Sequence, residues 1–105
     1  TSGRTHHELL LIEVGDAPGP PRGRRIGLYH IGWCIGETSE QLVRAKKELE
    51  EREIPIEGMS DHVITHSLYI RDPDGNEVEL YVDRPDYDWK SDREWIDDPV
   101  RPLEL

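Results

Sequence analysis

Apolar residues along this chain come in short blocks, separated by stretches rich in Pro, Gly and charge. The first block, Leu9 to Ile12 with Val14, follows the pair His6–His7 and predicts a strand over His7–Val14. "GDAPGPPRGRR" comes next, with three Pro and three Gly in eleven residues, and reads as a connector between two structural units. In "IGLYHIGWCI", Tyr29, Ile31, Trp33 and Ile35 alternate with His30, Gly32 and Cys34. A period of two means a strand with one large apolar face and one smaller, more polar face.

From Gly36 the period changes. Leu42, Ala45 and Leu49 recur at helical spacing with charged residues between them. Thr38 is the predicted N-cap and Gln41 its capping-box partner, and Pro55 bars further helix. A short extended piece, "IEGMSDHVI", leads into "THSLYIRDPDGNEVELYVD". Asp72-Pro73-Asp74-Gly75 is turn chemistry, since Pro presets φ and Gly accepts a positive φ, so Ser67–Arg71 and Asn76–Val82 form a predicted hairpin. The order from residue 26 is β-α-β-β-β, closing near Val82. Residues 85–105 read as a Pro-rich acidic tail, with Trp89 and Trp95 expected to pin it to the body.

Strand parity sorts the side chains. Val78, Leu80 and Val82 share a face with Leu68 and Ile70 and are expected under the helix. Glu77, Glu79 and Tyr81, with Ser67, Tyr69 and Arg71, fall opposite. His30 joins them on the first strand. Singly, each has an ordinary reading: a satisfied strand histidine, a solvated carboxylate, a tyrosine filling a strand. His6 and His7 read equally as a frayed strand end, and His62 and His66 as loop residues. Three strands nonetheless offer His30, Tyr69 and Glu79 to the face the helix leaves bare, which marks a candidate site.

Composition narrows the partners. The chain has 105 residues, enough for one small domain, and a formal charge of −10 that repels phosphate backbones and argues against nucleic acid. No stretch approaches the roughly 20 apolar residues of a membrane span, so no membrane partner is expected. The single Cys34 leaves no internal disulfide and fits a reducing, cytoplasmic setting.

"GLYHIGWCI" before a helix, then "SDH", "HSLYIRDPDGNEVELY" and "DRP", closely resemble the vicinal oxygen chelate superfamily over about residues 4 to 85. That superfamily includes glyoxalase I, bleomycin-resistance proteins and type I extradiol catechol dioxygenases. The resemblance implies an α+β fold of paired βαβββ modules curled around one cleft, with a helix on the outer face. On that reading 1–15 holds the last strand of a first module, 16–25 the linker, 26–84 the second module and 85–105 the tail. The remainder of the first module, with the strand carrying the first metal histidine, is then expected outside this chain. The likeness is greatest to the catechol-2,3-dioxygenase type. It implies Fe(II), or else Mn(II), held by two His and one Glu, with His30 and Glu79 matching two of the three ligands. It further implies Tyr69, ten positions before Glu79, as a residue facing substrate and dioxygen, His7 as acid–base catalyst and His62 as a contact to substrate hydroxyls. The implied partners are a small aromatic diol and O2, and a second copy in a dimer. Two other readings share the fold: a glyoxalase-like isomerase or lyase using Ni(II) or Zn(II), favoured if Glu8 rather than His7 faces the cleft, and a bleomycin-resistance-type protein that binds ligand without catalysis.

Overall fold

A computed structural model describes residues 3–62, 64–84 and 101–105. Its elements are β1 (Ile31–Gly36), α1 (Ser39–Glu51), β2 (Gly58–Asp61), β3 (Thr65–Arg71), β4 (Glu77–Asp83) and β5 (Arg101–Pro102). They form one mixed sheet in the order β1-β4-β3-β2-β5, with β1 parallel to β4 and the other pairs antiparallel. The α1 helix lies against β1, β3 and β4. This is the βαβββ module that the hydrophobic pattern predicts.

Local chemistry sets the boundaries. Thr38 caps α1 by accepting a hydrogen bond from the Gln41 N–H, and the Gln41 side chain returns to the Thr38 N–H, closing a capping box. At the other end, Ile54 N–H bonds Leu49 O and Glu53 N–H bonds Glu50 O, a Schellman arrangement that puts Glu53 at φ 58°. Between β3 and β4, the Asp72 carboxylate accepts from the backbone of Asp74 and Asn76 at 3.0 and 2.8 Å, and from the Asn76 side chain at 2.9 Å. Gly75, at φ 90°, supplies the conformation that a side chain would resist.

The core is small. Leu42, Leu49, Leu68 and Val82 are buried between helix and sheet, edged by Ile35, Ile54, Ile56, Met59, Ile70 and Leu80. Parity therefore places the covered face as expected. Tyr29, however, is exposed, because β1 begins only at Ile31, so the stripe starts two residues later than its pattern implied.

Two further differences have physical causes. His7–Val14 is not a strand; Leu10, Leu11 and Ile12 lie exposed, Leu11 at 81%. A strand exists only where a neighbour satisfies its N–H and C=O groups, and among the described residues none pairs with this segment. At the other terminus, the sequence pattern did not reveal β5, two residues that pair with Ser60 and Asp61 of β2 while Leu103 and Leu105 pack on the core. Trp89 and Trp95 lie outside the described residues. Among the described residues, no helix is long and apolar enough to cross a membrane.

Candidate metal centre

The sheet face opposite α1 gathers polar side chains from three neighbouring strands. In the β3–β4 ladder Tyr69 stands opposite Glu79 and Ser67 opposite Tyr81. In the β1–β4 ladder Gly32 stands opposite Glu79, and a Cβ there would come within 3.6 Å of Glu79 Oε2. Any side chain longer than alanine at this position would crowd that oxygen, so the glycine keeps space beside it. His30, just before β1, folds back over this space.

Its ring bridges two carboxylates. Nε2 lies 3.0 Å from Glu79 Oε2, and Nδ1 lies 3.2 Å from Glu77 Oε2. Glu77 and Glu79, two apart on one strand, project on the same face. The other oxygen of Glu79, Oε1, accepts from the Ser67 hydroxyl at 2.5 Å and lies 3.4 Å from the Tyr69 hydroxyl. Tyr69 in turn stands 2.5 Å from His62 Nε2, on the loop after β2. Rings meet edge to face in the group, His30 and Tyr69 with centroids 6.0 Å apart and His62 and Tyr69 6.2 Å apart.

The Tyr69 phenol is pushed up to about 12, first by burial and then by the negative charge of Glu79 beside it. It therefore stays protonated through neutral pH, with a proton to offer Glu79, His62 or a bound oxygen. Glu79 is largely withdrawn from solvent, and His30 and His62 are part-buried beside it.

Four of the five residues singled out in the sequence, His30, His62, Tyr69 and Glu79, thus converge. His7 does not join them; it lies on the exposed N-terminal segment with its Nδ1 2.9 Å from that of His6. Ser67 and Glu77 are members of the cluster that the sequence did not single out. Their signal was parity alone: both sit on the bare face, but a serine and an outward glutamate on a strand are too common to stand out.

His30 Nε2 and Glu79 Oε2 suit a metal ion. Their separation matches neighbouring corners of a coordination sphere, about 3 Å for donors each about 2.1 Å from the ion. An imidazole nitrogen with a carboxylate oxygen is the donor chemistry of a two-His, one-carboxylate site. Among the described residues, no group of three His, Cys, Asp or Glu side chains forms a complete cage. The cluster offers two donors that could face one ion, His30 Nε2 and Glu79 Oε2.

A sequence profile described as Glyoxalase/Bleomycin resistance protein/Dioxygenase superfamily matches residues 1–80. The chain is 41% identical over 86 residues to a catechol-2,3-dioxygenase of Bacillus subtilis, covering 82% of this chain and 30% of that protein. It is 31% identical over 86 residues to a biphenyl-2,3-diol 1,2-dioxygenase of Rhodococcus globerulus, covering 79% of this chain and 43% of that one. Among solved structures, a lactoylglutathione lyase from Agrobacterium tumefaciens is 32% identical, covers 66% of this chain and 52% of its own, and has a TM-score of 0.43. The chain spans less than half the length of the curated relatives it matches.

Proposed function

The chain belongs to the glyoxalase/bleomycin resistance protein/dioxygenase superfamily, and on that premise we propose that it is an extradiol, catechol 2,3-type dioxygenase or the C-terminal part of one. The observation that carries the reading is the His30–Glu79 pair at 3.0 Å, set beside Tyr69 and His62 on one open sheet face. His30 and Glu79 would hold Fe(II), or Mn(II), which takes the same ligands. When bound, such a metal would supply electron passage between a diol and dioxygen. Ring opening next to the diol would then place both oxygen atoms in the product.

The residues around the pair have distinct tasks. A diol must lose a proton to bind a cation well. His62 stands where it can receive one, directly or through the Tyr69 hydroxyl. Tyr69 remains a phenol and so donates a hydrogen bond to a substrate oxygen. Burial of Ser67 and withdrawal of Glu79 from solvent keep water from competing for the carboxylate.

The apolar, exposed residues from Leu9 to Val14 support a second part of the proposal. They form the last strand of a first βαβββ module once its neighbours are present, and His7 then enters the cleft as an acid–base residue. That module would bring the second histidine ligand. Its supply by another chain meets the same requirement, and the free Cys34 suits the cytoplasm.

The test is metal content together with turnover. Protein purified without chelator is analysed for Fe and Mn, then assayed with catechol under air for a yellow ring-cleavage product. About one metal per active site and turnover, both lost in His30→Ala and Glu79→Gln, are expected. Tight retention of an aromatic ligand with no metal and no turnover would replace the enzyme reading with that of a ligand-binding member of the superfamily.

A further inference from the structure

Two residues of the cluster are not ligands in this reading, yet both touch the ligands and leave the metal-facing atoms free. Glu77 contacts His30 only at Nδ1, 3.2 Å away, which leaves Nε2 turned to Glu79. Ser67 contacts Glu79 only at Oε1, at 2.5 Å, which leaves Oε2 turned to His30. We propose that Glu77 and Ser67 are the positioning residues of the metal centre, Glu77 fixing the His30 ring and Ser67 fixing the Glu79 carboxylate so that Nε2 and Oε2 face one point. The inference rests on His30 and Glu79 being ligands.

Three features support it. The first is stereochemical. Ring nitrogens of imidazole point in different directions, so an Nδ1–H donated to Glu77 sets both the tautomer and the ring plane, and presents the Nε2 lone pair to the cation. The second is choice of partner. Glu77 lines a groove of about 640 Å³ together with Arg22, Arg24, Arg25 and Arg71. Despite these guanidinium groups, its one ion pair among the described residues is with His30. The third is burial. Ser67 is the fully buried polar side chain of the described residues, at 0% exposure, and its hydroxyl spends its donor on Glu79. A hydroxyl without a partner is costly there, so the bond is held, and a short O–H···O⁻ contact to a charged oxygen is a strong one. A carboxylate secured at one oxygen cannot swing out of the cleft or turn both oxygens to the metal.

The experiment measures Mn(II) affinity of the chelator-stripped protein, from the electron paramagnetic resonance of free Mn(II), for the wild type and for Glu77→Gln, Glu77→Ala, Ser67→Ala and His30→Ala. Glu57→Gln, an acidic position on the loop before β2, reports the effect of removing a charge without a ligand contact. Unfolding midpoints are taken in parallel, and the His30 Nδ1–H proton resonance is followed in the Zn(II)-loaded protein. Expected are a 10- to 100-fold weakening for the Glu77 and Ser67 variants at near-wild-type midpoints, and loss of the slowly exchanging Nδ1–H signal in Glu77→Ala alone, because the Gln amide oxygen still accepts from Nδ1–H. Glu57→Gln should stay within about 2-fold. Glu77→Gln keeps side-chain volume, so it decides the matter if Glu77→Ala does not fold. Wild-type affinity in Glu77→Gln and Ser67→Ala, with binding abolished by His30→Ala, overturns the positioning roles and leaves the ligand assignment standing. Equal binding by wild type and His30→Ala overturns both.

Discussion

Replacing Leu68 by Ala tests how the bare face depends on the covered one. Leu68 is fully buried, and it stands on β3 between Ser67 and Tyr69, whose side chains point to the opposite side. The substitution removes three carbons from a closed site. At about 0.8 kcal/mol per methylene the transfer loss alone is about 2.4 kcal/mol. A rigid surround would add a cavity cost and take the total towards about 5 kcal/mol. Among the described residues, Leu42, Leu49 and Val82 are the other buried hydrophobics, and the surrounding apolar residues are partly exposed and free to shift inwards. The void can therefore partly close, and about 3 kcal/mol is expected. Urea unfolding followed by tryptophan fluorescence and circular dichroism measures it, with the slope checked for equality between variants. Because β3 is held in register on both sides by β2 and β4, Mn(II) affinity of the folded variant should change by less than about 3-fold, a shift below about 1 kcal/mol. A loss of stability under about 1 kcal/mol would refute the assignment of Leu68 to the core. A collapse of affinity at full folding would refute the view that the ladders, rather than the apolar packing, set the site.

Two further predictions follow from the titrating groups. Tyr69, pushed up to about 12 from its ordinary 10.0, binds its proton more firmly in the folded chain than in the unfolded one. Its contribution is intact below about pH 10 and is lost as pH rises to about 12, so Tyr69→Phe should flatten the alkaline loss of stability and remove the last step of the tyrosinate absorbance titration; disappearance of an early step instead would contradict the burial argument. Asp72 is held below its ordinary 3.8: burial pushes it up, but hydrogen bonds from the Asn76 side chain, then from the Asn76, Asp74 and Gly75 backbone, outweigh that. Its contribution is present above about pH 3.8 and is lost as pH falls through the lower folded value; Asp72→Ala should cost about 1 kcal/mol near neutrality and less in acid, and an equal cost at both pH values would show that the carboxylate does not hold the turn.

How much was legible beforehand depended on the range of the interaction. The α1 helix could be read because its signals are local: Thr38 and Gln41 are three residues apart, and Leu42 and Leu49 lie on one face of the same cylinder. The β3–β4 hairpin could be read because Asp72 to Asn76 close the turn among themselves. Strand period then fixed which side chains share a face, and so placed His30, Tyr69 and Glu79 together before any coordinate. The short β5 carried no such signal, since two residues have no period and take their conformation from Ser60 and Asp61 across the sheet. His7–Val14 shows the converse, an alternation-poor apolar run whose strand needs a neighbour that the described residues do not provide.

The sequence by itself determined the module, its helix, its turn and the membership of each face, because helical and strand periods and turn chemistry act over a few residues. Only the tertiary structure decided that the His30 ring lies between Glu77 and Glu79, that Ser67 is sealed beneath Glu79, and that His62 reaches Tyr69 from the loop after β2. Those contacts join residues up to 49 positions apart, from His30 to Glu79, and depend on strand order, register and rotamer. No local pattern encodes such distances; they emerge when β1 is laid parallel to β4 and the apolar face closes on α1.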